Sequence, residues 1–132
     1  MIYCLDTNVI VRALRGKAAA TEKRLRALQP EQIKISEMVR AELLTGARKS
    51  ARPLENEDLV NQFLAPFALL PFSGDSVDHY ADIRIRLERS GTLIGPNDLI
   101  IAASARSVAA TLITANLGEF KRVPGLQCED WV

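Results

Sequence analysis

Three carboxylates in this chain occupy positions from which they could do chemistry together: Asp6 after a short apolar run, Glu42 inside an amphipathic stretch, and Asp98 behind Gly95-Pro96-Asn97. Gathered in one place, they would repel one another and resist ionisation unless a cation compensated them. Mg²⁺ or Mn²⁺ suits hard oxygen ligands of this kind and keeps coordination positions for water and a phosphate oxygen. Such an ion orients a phosphate, raises its electrophilicity and lowers the pKa of an attacking water, which is the chemistry of phosphodiester hydrolysis.

Taken singly, two of the three have ordinary explanations. Asp6, followed by Thr7 and Asn8, is a suitable N-cap for the helix after it. Asp98 falls in a first helical turn, where negative charge is stabilised by the helix dipole. Glu42 differs, because its neighbours four residues away are Met38 and Gly46 and offer no helical ion pair. A carboxylate at the rim of an apolar helix face calls for a partner from another element.

The elements that must position these residues follow from periodicity and caps. Met1 to Leu5 reads as a strand, then a tight turn and a helix carrying Val9, Ile10, Val11, Ala13 and Leu14. A second helix over residues 18–28 is closed by Pro30, the strand Ile33-Lys34-Ile35 follows, and Ser36 caps a third helix whose inward face is Val39, Leu43, Gly46 and Ala47. Pro53 opens an acid-rich helix with Leu59, Val60, Phe63 and Leu64 inward, and Phe67 to Phe72 reads as a buried strand. Ser73 to Ser90 is a helix with Val77, Tyr80, Ile83 and Leu87 inward and an Asp82/Arg86 pair outward, ended by Gly91. The Pro96 helix runs to about Ala110, Thr111 to Thr114 is a strand, Asn116 to Phe120 a turn or short helix, and Leu126 to Trp131 a last strand.

Apolar strands alternating with helices indicate an α/β fold: a mostly parallel sheet of about five strands with helices on both faces, in three layers. Ligands of such sheets collect at the carboxyl ends of the strands, where Asp6 lies. No repeat or linker divides the sequence, so one domain over residues 1–132 is expected.

Composition excludes several alternatives. With 48% hydrophobic residues and only 7 Gly and 6 Pro, the chain is neither disordered nor fibrous. Its 17 Lys and Arg nearly balance 16 Asp and Glu, so any case for nucleic-acid binding rests on local charge. Cys4 and Cys128 have no neighbouring Cys or His, which excludes zinc spacing and a CxxC pair and leaves two reduced thiols. His79, the lone histidine, has no ligand-spaced neighbour and reads as a packing or surface residue. No long apolar run marks a membrane span, so a soluble cytoplasmic protein is expected.

Leu5-Asp6-Thr7-Asn8, Glu42-Leu43-Leu44-Thr45-Gly46, Gly95-Pro96-Asn97-Asp98 with Ile100 and Ala102-Ala103, and the ending from Glu119 to Leu126 with Glu129-Asp130-Trp131, in this order and spacing, resemble the PIN-domain toxins of the VapC family. The resemblance runs the full length. It implies a toxin of a type II toxin-antitoxin system: a Mg²⁺- or Mn²⁺-dependent endoribonuclease acting on structured RNA such as tRNA, silenced by a VapB-like antitoxin and forming a homodimer. It also implies that Asp6, Glu42 and Asp98 are the catalytic, metal-binding acids, with Thr7, Asn8, Ser36 and Asn97 as supporting polar residues. Where many PIN domains carry a further acid after the fourth strand, this sequence has Asn116, with Glu119 three residues later, so the fourth ligand is open: Asn116, Glu119 or neither.

Two other classes compete. A non-catalytic PIN-like protein or RNA-binding module needs no carboxylates, and retention of all three weighs against it. An aspartate-based phosphotransferase also places Asp after its first strand but requires a second Asp two residues on, where this chain has Asn8. A receiver module needs an acidic pair with a separate phosphoacceptor and Lys, a pattern the sequence does not supply.

Overall fold

The apolar run at the N-terminus ends in a helix cap, so the first strand is short. In the computed structural model, which describes residues 1–131, Tyr3–Leu5 form β1 and Thr7–Leu14 form α1. Asp6 between them is extended, and its Oδ1 accepts the Thr7 N–H at 2.8 Å, the capping bond expected from its type. Helix α2 covers Ala19–Arg26, and a 3₁₀ turn at Pro30–Gln32 leads into β2, Ile33–Ser36. Ser36 caps α3, Glu37–Lys49, by accepting the Met38 N–H at 3.1 Å. Pro53 starts α4, Pro53–Leu64, where its missing N–H costs nothing.

Strand β3 is Ala68–Leu70, and α5, Asp75–Ser90, ends at Gly91 in the left-handed region with φ 68°. Then come α6, Pro96–Ser107; β4, Thr111–Ile113; α7, Leu117–Phe120; and β5, Gln127–Glu129.

The five strands lie in the order β3-β2-β1-β4-β5, and every pairing is parallel. The expected α/β architecture is present, with a sheet that is parallel throughout its described strands. From β1 the chain moves outward to β2 and β3, then crosses back to β4 and β5. Right-handed crossovers in opposite directions carry helices to opposite faces, which gives the three layers. The core draws Leu5, Ile33, Ile35, Leu112 and Ile113 from the strands and Ile10, Val39, Ile83, Leu87, Leu99 and Ile101 from the helices, all almost completely buried. Ala102, Ala103 and Ala105 are buried on α6, and this lack of bulk lets the helix pack closely on α5 and the sheet.

Four expectations change. Residues 67–72 do not form a buried strand: β3 pairs with β2 alone, at the sheet edge, and Ala68 and Leu69 are exposed. Gly46 is exposed as well, because α3 buries a stripe spaced by four, Val39, Leu43 and Ala47, and Gly46 lies on its flank. Leu59 and Val77 likewise fall outside the buried faces of α4 and α5. Helix α6 stops at Ser107 short of Ala110, since Ala109 turns into the left-handed region at φ 53°.

Candidate active site

Strand β1 pairs with β2 on one side and β4 on the other, so the direction of winding reverses between β1 and β4. A crevice opens at the carboxyl ends of two strands wherever this happens in a parallel sheet. The register pairs Leu5 with Ile113, and the Asp6 N–H donates to the Ile113 carbonyl at 2.9 Å. Asp6 and Thr114 therefore leave the sheet side by side, and Thr114 Oγ1 donates to Asp6 Oδ2 at 2.7 Å. Thr114 is fully buried and Asp6 is 7% exposed. Burial pushes the Asp6 carboxyl up from its ordinary range. The bonds from Thr114 and the Thr7 N–H pull it back, while the charges of Glu42 and Glu119 push it further up.

Glu42 has the outside partners that its helical setting required. Thr7 Oγ1 donates to its Oε1 at 2.6 Å, and Asn97 Nδ2 donates to its Oε2 at 3.3 Å. One helix is thus tied to α1 and to the start of α6 through the two oxygens of a single carboxylate.

Asp98, in the first turn of α6, has its carboxyl pushed up to about 7, first by desolvation, then by a hydrogen bond with Glu119 and the charges of Asp6, Glu119 and Glu42. Glu119 is held below its ordinary range, first by that bond with Asp98 and then by Asn116, whose Nδ2 donates to Oε2 at 2.6 Å. The Arg122 charge and the Gly95 N–H act in the same direction. The hydrogen bond between them thus shifts the two carboxyls in opposite directions, Asp98 up and Glu119 down.

The site thus unites Asp6, Glu42 and Asp98, and adds Glu119. Asn116 stands behind Glu119 and orients it. Thr7 and Asn97 both donate to Glu42. Ser36 is buried and spends its hydroxyl oxygen on capping α3, so its contribution is to fix the helix that carries Glu42. Asn8 is exposed and makes no side-chain hydrogen bond among the described residues. His79 lies elsewhere, with Nδ1 accepting from Arg106 Nε at 2.8 Å.

Thr114 is the residue that sequence reasoning passed over. Its only signal is register, since it follows β4 just as Asp6 follows β1, and that signal exists only once the two strands are known to pair.

The donor set is of the chemical type that a hard divalent cation takes: Asp6 and Asp98 are both pushed up in part by the charges of neighbouring carboxylates, which a cation would offset. Among the described residues, no three acidic, histidine or cysteine side chains meet closely enough to enclose an ion by themselves.

Residues 3–126 match the model of the PIN domain family. The chain is similar to Ribonuclease VapC2 of Rickettsia felis, 39% identical over 132 residues that span 99% of this chain and 98% of the relative. It is 35% identical to the tRNA(fMet)-specific endonuclease VapC of Salmonella typhimurium, over 98% of this chain and 97% of the relative. In structure it is similar to a chain of VapBC2 from Rickettsia felis bound to a DNA fragment from its promoter, with TM-score 0.93, 38% identity and full coverage of both chains. A chain of DNA-bound VapBC from Salmonella typhimurium superimposes with TM-score 0.94 at 33% identity, covering 100% of this chain and 99% of that one.

Proposed function

The chain belongs to the PIN-domain family and to its VapC ribonucleases, and we propose that it hydrolyses RNA phosphodiesters at the crevice between β1 and β4. Its substrate is tRNA, its metal is Mg²⁺ or Mn²⁺, and its activity is held in check by a VapB-type antitoxin. The observation that carries the site assignment is the convergence of Asp6, Glu42, Asp98 and Glu119 from four separate elements on one strand crossover.

Asp6, Glu42 and Asp98 are the acids that would hold the ion, with Glu119 as the fourth carboxylate. When bound, the ion polarises the scissile phosphate and lowers the pKa of the attacking water. The chain supplies rigidity: Thr7 and Asn97 fix both oxygens of Glu42, Thr114 and the Thr7 N–H fix both oxygens of Asp6, and Asn116 fixes Glu119. Carboxylates held in this way need not reorganise as charge develops on the phosphate. The same carboxyl oxygens accept the proton released by the water.

The family match over residues 3–126 and a sheet reaching from Tyr3 to Glu129 support treating residues 1–132 as one PIN domain. Among the described residues no helix is long and apolar enough to cross a membrane. Placement in the cytoplasm, where tRNA is found, and assembly as a homodimer belong to the same proposal.

The test is incubation of the purified protein with a panel of RNAs, with Mg²⁺, with Mn²⁺ and with EDTA. Cutting is expected only with metal, and Asp6→Asn or Asp98→Asn is expected to lower it by more than about 100-fold, beyond the usual loss from an outer-shell change. Cutting that survives EDTA or both substitutions refutes the mechanism.

A further inference from the structure

Beside the carboxylates, an open groove of about 420 Å³ runs along α3, bounded by Met38, Ala41, Glu42, Thr45 and Lys49 and, across from the helix, by Asn97 of α6. Glu42 and Asn97 belong to both the site and the groove, so the two are continuous. We propose that this groove carries the RNA strand next to the scissile phosphate, with Lys49 holding a flanking backbone phosphate. The assignment rests on the ribonuclease reading above and specifies how that site grips its substrate.

Charge pairing singles out Lys49. Of the three cations on α3, Arg40 lies 3.6 Å from Glu37 and Arg48 lies 3.0 Å from Glu57, whereas Lys49 makes no ion pair among the described residues. Arg40 and Arg48 each face an acid of the protein itself and neither lines the groove, whereas Lys49 is exposed at its end. Seven residues separate it from Glu42, two helical turns or about 10 Å along the axis on the same face. A flexible four-carbon stem covers much of that span and brings the ammonium to a phosphate beside the one at the carboxylates.

The remaining wall suits a nucleotide's other parts. Met38 and Ala41 offer apolar surface to a base or ribose. Thr45 donates its hydroxyl proton to the Ala41 carbonyl at 2.8 Å, so it faces the groove as an acceptor and leaves phosphate binding to Lys49. A net charge of only +1 gives the chain no general attraction for RNA, so a cation placed in the groove carries disproportionate weight.

The test measures cleavage of a short single-stranded RNA by Lys49→Gln, Lys49→Arg and, as a control on the exposed face of α2, Lys23→Gln. Binding of the same RNA is measured by anisotropy in an Asp98→Asn background across a salt series. Lys49→Gln is expected to raise KM about five- to tenfold with kcat within about twofold. Loss of one phosphate contact should also flatten log Kd against log salt by about 0.7, the value for one contact on a single strand. Lys49→Arg should restore both readouts and Lys23→Gln should alter neither. Wild-type cutting combined with an unchanged KM and salt slope in Lys49→Gln overturns the groove assignment alone. A wild type that neither binds nor cuts this RNA or tRNA with Mn²⁺ overturns the ribonuclease reading and the groove together.

Discussion

Thr114 Oγ1 and Asp6 Oδ2 are 2.7 Å apart although 108 positions separate the two residues in sequence, and their bond joins the carboxyl ends of β4 and β1 where the proposed active-site crevice begins. The hydroxyl also accepts the Asn116 N–H at 2.9 Å, so one buried side chain serves Asp6 and the segment leading to Glu119.

Thr114→Val keeps the shape and removes both bonds. Leaving a buried carboxylate oxygen and an N–H without this partner is expected to cost about 1–3 kcal/mol in urea unfolding. The Asp6 carboxyl should rise further, and cleavage at neutral pH should fall with it. A variant as stable and as active as the wild type would show that the bond is dispensable.

Asp98 sets a pH dependence for the metal-free protein. Its folded carboxyl titrates near 7 against an ordinary value of 3.8. The folded state therefore holds its proton more tightly than the unfolded state does, and stability falls as pH rises from about 4 to about 7. In EDTA, thermal melting should drop across this window for the wild type and stay flatter for Asp98→Asn. Adding Mg²⁺ at pH 8 should raise the wild-type Tm and leave that of Asp98→Asn nearly unmoved.

Arg106 joins α6 to two other parts of the fold. It is 13% exposed and donates to His79 Nδ1 at 2.8 Å, to the Pro124 carbonyl at 2.8 Å and to Asp82 Oδ2 at 2.7 Å. Arg106→Met should destabilise by about 1.5–3 kcal/mol, the usual range for a hydrogen bond to a charged group. Asp82 is held below 3.8, first by its bond to Arg106, so its contribution is present above that value and is lost as pH falls through the lowered folded pKa. The wild type should lose stability in acid more steeply than Arg106→Met. Parallel acid limbs would refute the coupling.

Gly46 lies in the interior of α3 without a left-handed φ, and a Cβ added there meets nothing within 4 Å. Gly46→Ala should therefore stabilise by about 0.5–1 kcal/mol, through the backbone entropy that glycine loses on entering a helix. Chemical denaturation checks this, and an unchanged or lower midpoint would count against it.

Much of this was legible in the chain itself because caps and periodicity are local. Asp6 and Ser36 cap the helices their types suggest, Pro53 and Pro96 open helices, Gly91 closes one, and alternating strands and helices imply the parallel sheet. Glu42 was conspicuous for a local reason too, the lack of a partner on its own helix. What local sequence does not contain is strand order. Ala68 to Leu70 are as apolar as a central strand, yet their place at the edge leaves them exposed, since burial depends on which strands pair and not on composition. The same holds at the site. Between Asn116 and Glu119 the sequence offers no choice, whereas the fold brings Glu119 onto Asp98 with Asn116 behind it, and sets Thr114 against Asp6 through the pairing of β1 with β4. Residue types and their spacing determined which carboxylates could act. Register and crossover, set by how the whole chain packs, decided which groups they meet.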